Sequence, residues 1–401
     1  MFMNRRIVLV CVASLILITA VAAPFVYPIW SDLRRADLAE ACGTAKSERR
    51  WNELQRLADR WTAWEPENGE AWMYRGQAAS GRQDWEQALA SFWQVPDSDP
   101  QVVPALIEVS KLAFTRLNNP LKGAAACERI LQIDPRAAGA RQQLIGFYAA
   151  TLQREKLLRQ IQQGVETQSE PREAYAYAFL LYTLRSKEGI DLNERWLKSS
   201  PDEELFLVAS ILQLPDSKTD SQEIDLFART EAEVRTSLGP AKRERVNQLR
   251  ERFPKNLELL AFQAEERFDA GDIDGVTALL LQAPTTAKQD SRFWRMKGWV
   301  HESHNEWDDA VAAYGEGLRR HPVDWTTMIR LAAVERRRNN RTEVERLTQL
   351  VDRAQEIRRK LRNLTAAESV NPTALIELAD FFQDCGDTHM SQGLNRRLGR
   401  K

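Results

Sequence analysis

The sequence predicts an all-α protein: an α-α superhelix of stacked helix pairs, preceded by one transmembrane helix. Three observations lead to this prediction. Two distant stretches carry the same residues at the same spacing. Alternating runs of Val, Ile and Thr, which are typical of strands, are almost absent. One long uncharged segment follows the amino terminus.

Composition narrows the function classes. The chain has 401 residues, with 56 Lys and Arg against 57 Asp and Glu. These charges are spread along the sequence, so there is no electrostatic reason to expect a nucleic-acid partner. The four cysteines form no CxxC pair, which argues against a zinc ribbon or a disulfide framework.

A membrane anchor is predicted at residues 7–30, after a short basic tail at residues 1–6. The first 17 residues, Ile7 to Ala23, contain no charge, and residues 24–30 are also uncharged. At about 1.5 Å per residue the segment reaches roughly 25 to 36 Å, against an apolar bilayer core of about 30 Å. The lipid bilayer is therefore an expected partner of residues 7–30.

A cleaved signal peptide, residues 1–22, is the alternative interpretation of this segment. Ala20-Val21-Ala22 has the form of a cleavage site. The apolar run continues beyond that site, which favours the uncleaved anchor. Basic residues flank both sides of the segment, but long domains translocate largely regardless of charge. We therefore expect a single-pass membrane protein with an extracytoplasmic repeat domain.

The repeated stretches lie far apart in the chain and match at six positions. Trp72, Gly76, Trp85, Ala88, Phe92 and Pro100 correspond, at one constant offset, to Trp294, Gly298, Trp307, Ala310, Tyr314 and Pro322.

This pattern resembles the tetratricopeptide repeat (TPR), a helix-turn-helix unit of about 34 residues. The resemblance implies that the two glycines and the two alanines let helices A and B of a repeat approach closely. It also implies that the aromatic residues fill the space between repeats, and that the prolines stop helix B.

Weaker copies extend the pattern over most of the chain. We predict amino-terminal repeats at 35–214, with the best copy at 69–102, and carboxy-terminal repeats at 222–395, with the best copy at 291–324. An exposed loop at 215–221 separates them. A basic tail at 396–401 is suited to a solvated cap. Between about residues 137 and 253 the signature fades, which we interpret as degenerate repeats.

No constellation of residues predicts catalysis, a cofactor or a metal site. His301-Glu-Ser-His304 is not HExxH, and the sequence places no third ligand beside the two histidines. Cys42, Cys127 and Cys385 are predicted to be small buried hydrophobic residues. A disulfide between Cys42 and Cys127 is not expected, because in a solenoid each repeat contacts only its neighbours.

Partners of proteins like this usually bind the concave face that the A helices form. The resemblance therefore directs attention to mid-helix positions outside the packing signature. In the upstream repeat these residues are more apolar and suit a packed helix or a hydrophobic peptide. In the downstream repeats they are mostly basic and suit an acidic peptide or a chain-terminal carboxylate. The predicted binding residues are Met73, Tyr74 and Gln77 upstream, and Arg292, Arg295, Trp299, Arg330, Arg336 and Arg337 downstream.

One known binding mode of the family is not carried over. Carboxylate-clamp TPR proteins use Lys and Asn at set A-helix positions, and Trp299 stands where the clamp requires Asn. We therefore expect a non-enzymatic scaffold or adaptor that binds other proteins or peptides. The alternatives are a secreted soluble TPR protein and an accessory subunit of an envelope enzyme complex.

Overall fold

The structure, a computed structural model, describes residues 28, 30–214, 240–362 and 372–400. Within these ranges the regular elements are α-helices and one short 3-10 helix, with no strand. The chain divides into two compact units, Met1–Leu117 (unit 1) and Asn118–Lys401 (unit 2). The all-α prediction is confirmed for the described residues.

Unit 1 contains five described helices. Each A helix is followed after a tight turn by a B helix. The helices are α1 (residues 30–47), α2 (Trp51–Trp64), α3 (Gly69–Gly81), α4 (Trp85–Trp93) and α5 (Val102–Thr115).

Unit 2 contains the remaining described helices. They are α6 (Pro120–Ile133), α7 (Ala138–Ala150), α8 (Arg154–Thr167), α9 (Ala174–Phe179), α10 (Lys187–Ser199), α11 (Glu204–Leu212), α12 (Pro240–Arg252), α13 (Leu257–Asp269), α14 (Ile273–Gln282), α15 (Ser291–Ser303), α16 (Trp307–Arg320), α17 (Trp325–Arg337), α18 (Arg341–Arg362), α19 (Pro372–Asp384) and α20 (Thr388–Arg397). The 3-10 helix, Thr285–Gln289, lies between α14 and α15.

A left-handed residue between two helices marks the repeat register. It stops one helix and lets the next run back antiparallel. Along the chain the spacing of these residues is 34 or 35, except across the middle of the chain and at the last repeat. The turn residues are Arg49, Gln83, Asn118, Leu152, Gly271, Asn305, Asn339 and Gly386.

The packing signature is confirmed in both of the best repeats. A Cβ added to Gly76 would lie 2.4 Å from the ring of Phe92, and one added to Gly298 would lie 2.5 Å from the ring of Tyr314. Ala88 and Ala310, at the helix crossing, are fully buried. Helices A and B therefore approach each other in the same way in both repeats.

The first tryptophans of the two signatures also make equivalent contacts. The indole N–H of Trp72 donates to the carbonyl of Pro66 at 2.7 Å, and that of Trp294 donates to the carbonyl of Lys288 at 2.9 Å.

The prediction that Pro100 stops helix B is wrong, since α4 ends at Trp93, well before Pro100. Asp99 instead accepts a hydrogen bond from the backbone N–H of Gly69 at 2.7 Å.

The middle of unit 2 departs from regular repeats at α9. This helix has only six residues, and Ala174, Tyr175 and Phe179 on it are at most 1% exposed. The ring of Phe179 lies 5.0 Å from that of Trp325 and 5.7 Å from that of Phe381. Helix α9 therefore packs against α17 and α19, far along the chain. The expectation that each repeat contacts only its neighbours is wrong here.

The carboxy-terminal end of unit 2 also returns to this region. Arg396 donates to the carbonyl of Val165 at 2.9 Å, and Arg397 pairs with the buried carboxylate of Glu170 at 2.9 Å. Two residues of the predicted solvated tail thus close the last helix onto the end of α8 and the residues after it. Arginine forks suit this contact because they reach several acceptors at once.

Two predictions lie mostly or wholly outside the described residues. Of the predicted anchor at residues 7–30 only Pro28 and Trp30 are described, and the predicted loop at 215–221 is not. Among the described helices, none combines the length and the apolar character needed to cross a bilayer.

Candidate binding surfaces

The predicted apolar surface of unit 1 is centred on α3. Met73, Tyr74 and Gln77 are each partly exposed there. The ring of Tyr74 stacks on Trp61 with 6.2 Å between centroids, and the ammonium of Lys46 lies 5.9 Å from the Tyr74 ring. The side-chain oxygen of Gln77 is buried without a hydrogen-bond partner. We call Met73, Tyr74 and Gln77 the α3 face.

The same repeat positions in unit 2 are buried. At the offset that relates the two signatures, Met73 corresponds to Arg295, Tyr74 to Met296 and Gln77 to Trp299. The unit 2 residues are 4%, 2% and 8% exposed. Arg295 and Trp299 are therefore buried, unlike the α3 face, and their role in binding stays a prediction.

The neighbouring A helices explain this burial. The guanidinium of Arg295 pairs with Glu265 on α13 at 2.7 Å and with Asp324, just before α17, at 3.4 Å. The indole of Trp299 meets Phe268 on α13 edge to face, with 4.8 Å between centroids. The face of α15 that carries Arg295 and Trp299 therefore packs against adjacent helices.

Arg292 lies at the centre of a second buried charge cluster. Its guanidinium pairs with Asp290 at 2.6 Å and with Glu258 at 2.7 Å, and it lies 4.9 Å from the ring of Tyr182. Glu258 also pairs with Arg154 at 2.6 Å. Burial acts to lower the pKa of Arg292, but the carboxylates of Asp290 and Glu258 outweigh it and raise that pKa well above its ordinary value.

Asp324 organises the start of α17. Its carboxylate accepts hydrogen bonds from the hydroxyl of Ser291 at 3.0 Å and from that of Thr327 at 2.8 Å. Burial acts to raise its pKa, but the charge of Arg295, a contribution from His321 and hydrogen bonds from threonine hydroxyls hold that pKa at about 2. Asp324 is therefore a charged structural cap rather than an acid available for proton transfer.

The remaining basic residues of the prediction differ from one another. Arg330 is half-buried, pairs with Glu302 at 3.1 Å and lies 5.2 Å from the ring of Phe268. Arg336 and Arg337 are exposed, and their role in binding stays a prediction.

The charge partners lie about one repeat away from the arginines. Glu258 precedes Arg292 by 34 residues, and Asp324 follows Arg295 by 29. This spacing is a signal that the sequence contains, but it does not by itself distinguish an intramolecular partner from solvent.

Unit 2 also contains a cavity of about 630 Å³ that the sequence did not indicate. The helices α8, α11 and α13 begin at its wall, and Asp290, which caps α15, lines it too. The wall includes Arg154 and Glu258 from the Arg292 cluster. No contiguous motif predicts this site, because its residues come from segments more than 100 residues apart.

The histidine pair is arranged differently from a shared metal site. His301 contacts Glu306 at 2.6 Å, whereas His304 contacts the carbonyl of Val300. Ligand atoms of His301, Glu306 and Asp309 lie within 4.8 Å of one another. The turn after α15 thus brings the carboxylates of Glu306 and Asp309 close to His301, which the sequence analysis did not predict. Exposed acidic groups like these are common without a metal ion.

The described cysteines are free thiols. Cys42 and Cys127 are fully buried, as predicted, and Cys385 is partly buried. Burial raises the pKa of Cys42 to about 11 and that of Cys385 to about 12, which disfavours the reactive thiolate.

Comparisons with known proteins give structural neighbours only. No protein-family model matches the chain. No curated protein matches its sequence significantly. A tetratricopeptide repeat protein from Parabacteroides merdae is 10% identical over 75% of this chain and 98% of that chain, with a TM-score of 0.27. Yeast Tom70 is 12% identical over 90% of this chain and 84% of that chain, with a TM-score of 0.27. A human IFIT1 dimer with PPP-AAAA is 12% identical over 88% of this chain and 78% of that chain, with a TM-score of 0.33.

Proposed function

We propose that the protein is a non-enzymatic interaction scaffold whose α3 face binds a segment of another protein. The observation that carries this proposal is the contrast between equivalent repeat positions. Met73, Tyr74 and Gln77 are partly exposed, whereas their counterparts in unit 2 are buried between helices. Function in such folds resides in accessible sites rather than in the fold itself.

The chemistry of the α3 face indicates the kind of segment it suits. Met73 is a flexible apolar side chain that adapts to different partners. Tyr74 adds a partly exposed aromatic ring next to it. A segment with an apolar side chain suits these two residues.

The non-enzymatic part of the proposal is supported by the most strongly shifted acidic and basic groups. Asp290, Arg292 and Asp324 are buried. Arg292 pairs with Asp290 at the start of its own helix and with Glu258 on α13, and Asp324 pairs with Arg295 on α15. Perturbed pKa values at such sites reflect structural pairing, which is the ordinary alternative to catalysis.

Site-specific crosslinking tests the binding proposal. A photoreactive residue is placed at position 73 or 77 in the full chain in its native host, with position 86 as the control. Glu86 lies on α4 and is exposed. We expect one and the same protein to be captured from positions 73 and 77 and not from position 86.

Specificity is then checked with a charge substitution on the same face. Met73→Glu should abolish the adduct formed from position 77, because it places a charge where an apolar side chain docks. Equal capture from position 86, or an adduct that persists in Met73→Glu, would show that the α3 face is not the binding surface.

We further propose that residues 7–30 tether this scaffold to a membrane, with the repeats extracytoplasmic. The support is the length of the uncharged segment, which continues to Trp30 at the start of α1. The full chain should stay in the membrane pellet after carbonate extraction, whereas a chain lacking residues 7–30 should be released. Recovery of the full chain in the supernatant, or a mature protein that starts near Ala23, would refute the tether.

A further inference from the structure

The cavity of unit 2 lies where four helices begin. Helix N-termini carry partial positive charge and unpaired N–H groups. At α13 and α15 the side chains of Asn256 and Asp290 accept hydrogen bonds from the first turns. Gln153 and Glu203, which precede α8 and α11, make no such bond. First-turn N–H groups of α8 and α11 are thus left without a side-chain cap at the cavity.

A buried arginine in the cavity wall supplies an independent indication of a ligand. Arg154 is only 9% exposed, and its Nε has no hydrogen-bond partner in the part of the chain that the structure describes. Its other nitrogens are used, since Nη1 donates to Glu258 at 2.6 Å and Nη2 to the carbonyl of Tyr182 at 3.4 Å. An unpaired buried donor costs stability unless an acceptor completes it.

The charges around the cavity favour an anion. Among the described residues, every acidic residue of the lining has an ion-pair or hydrogen-bond partner, whereas the two exposed lysines of the lining, Lys156 and Lys255, form no ion pair. The ammonium of Lys156 lies 5.5 Å from the ring of Tyr148. The acidic residues and their partners are Glu155 with Arg159, Glu204 with Asn256, Glu258 with Arg154, and Asp290 with Arg292.

Part of the wall is apolar. Leu158, Leu181, Leu205 and Val208 line it from α8, from the residues after α9 and from α11. The volume of about 630 Å³ lies within the range of small-ligand sites, roughly 300 to 1,000 Å³. The cavity thus combines donors at one end with leucine side chains beside them.

We propose that this cavity binds a small amphiphilic carboxylate, with its anionic group at Arg154 and the start of α8 and its apolar body against the leucines. Arginine N–H groups and the N–H groups at a helix N-terminus both donate hydrogen bonds to carboxylate oxygens. This site is separate from the α3 face, and it adds ligand binding to the proposed scaffold function.

Calorimetric titration of the full-length protein with octanoate tests this proposal. We expect saturable binding with a dissociation constant on the order of 1 mM or tighter, as suits a ligand of this size. Octan-1-ol and octylamine have the same chain without the negative charge. They should bind at least about tenfold more weakly, because they give Arg154 and the helix N–H groups no charged acceptor.

A matched pair of substitutions locates the binding. Gln162 and Gln163 are adjacent, exposed residues of α8, but only Gln162 lines the cavity. Gln162→Trp should weaken octanoate binding at least about tenfold by filling the cavity, whereas Gln163→Trp should change it less than about twofold. Lys255→Gln should weaken it by up to about fivefold, as loss of one exposed charge does.

Three results would overturn the proposal. They are absence of octanoate binding at millimolar concentration, equal binding of octylamine, and equal effects of the two tryptophan substitutions. Circular dichroism of each variant confirms that the helices are retained. None of these substitutions changes the α3 face, so failure here leaves the crosslinking result untouched.

Discussion

Arg292→Ala is expected to lower the free energy of unfolding by about 3–5 kcal/mol. The substitution removes the guanidinium that pairs with both Asp290 and Glu258, so that the buried carboxylate of Asp290 loses its ion pair and Glu258 keeps only Arg154. Removing one partner of a buried pair costs more than the pair contributes, because an uncompensated charge stays in the interior. Urea unfolding followed by circular dichroism measures the change, and hydrogen exchange assigns it to unit 2.

Two companion substitutions test this explanation. Arg336→Ala removes an exposed arginine from α17 and should change the stability by no more than about 0.5 kcal/mol. Arg292→Lys keeps the charge but loses the bidentate fork, so an intermediate loss is expected. A loss below about 1 kcal/mol for Arg292→Ala would mean that the buried pairs do not hold these helices together.

Phe179→Ala is expected to destabilise unit 2 by about 3–5 kcal/mol. Phe179 is fully buried, and its ring contacts Trp325 and Phe381 on two A helices far along the chain. The substitution creates a cavity at this contact. Hydrogen exchange should therefore show faster opening of α17 and α19 as well as of α9, while unit 1 keeps its protection.

The conservative variant separates a packing effect from a local helix effect. Phe179→Leu retains most of the buried volume and should cost less than about 1.5 kcal/mol. If the alanine and leucine variants were equally stable, or if only α9 lost protection, then α9 would not hold the distant repeats in place.

The sequence specified the helical hairpins because their contacts are local. Gly298 and Tyr314, for example, belong to one hairpin, and their spacing is fixed by helix geometry and a short turn. The turn residues Gly271, Asn339 and Gly386 have left-handed backbone and lie within such short turns. A period of about 34 residues is visible without any knowledge of the partner helix.

The binding surfaces were predicted less well because accessibility depends on neighbouring helices. Met73 and Arg295 occupy the same place in their repeats, yet only Met73 is accessible. The difference arises from Glu265 and Asp324, which lie on adjacent elements and draw Arg295 into an ion-pair network. A charged side chain on a helix face can lie in solvent or pair with a residue of another helix, and the sequence does not distinguish these two cases.

The sequence by itself thus determined the all-α class, the repeat period and the close crossings at Gly76 and Gly298, since these follow from contacts between residues close in the chain. Only the tertiary structure decided that α9 packs against α17 and α19, that Arg397 reaches Glu170, and that a cavity forms where α8, α11 and α13 begin. Such contacts join residues more than 40 positions apart. The free energy of these contacts comes from burial of apolar surface and from charge pairing. The spacing of residues in the sequence does not show which distant residues make such contacts.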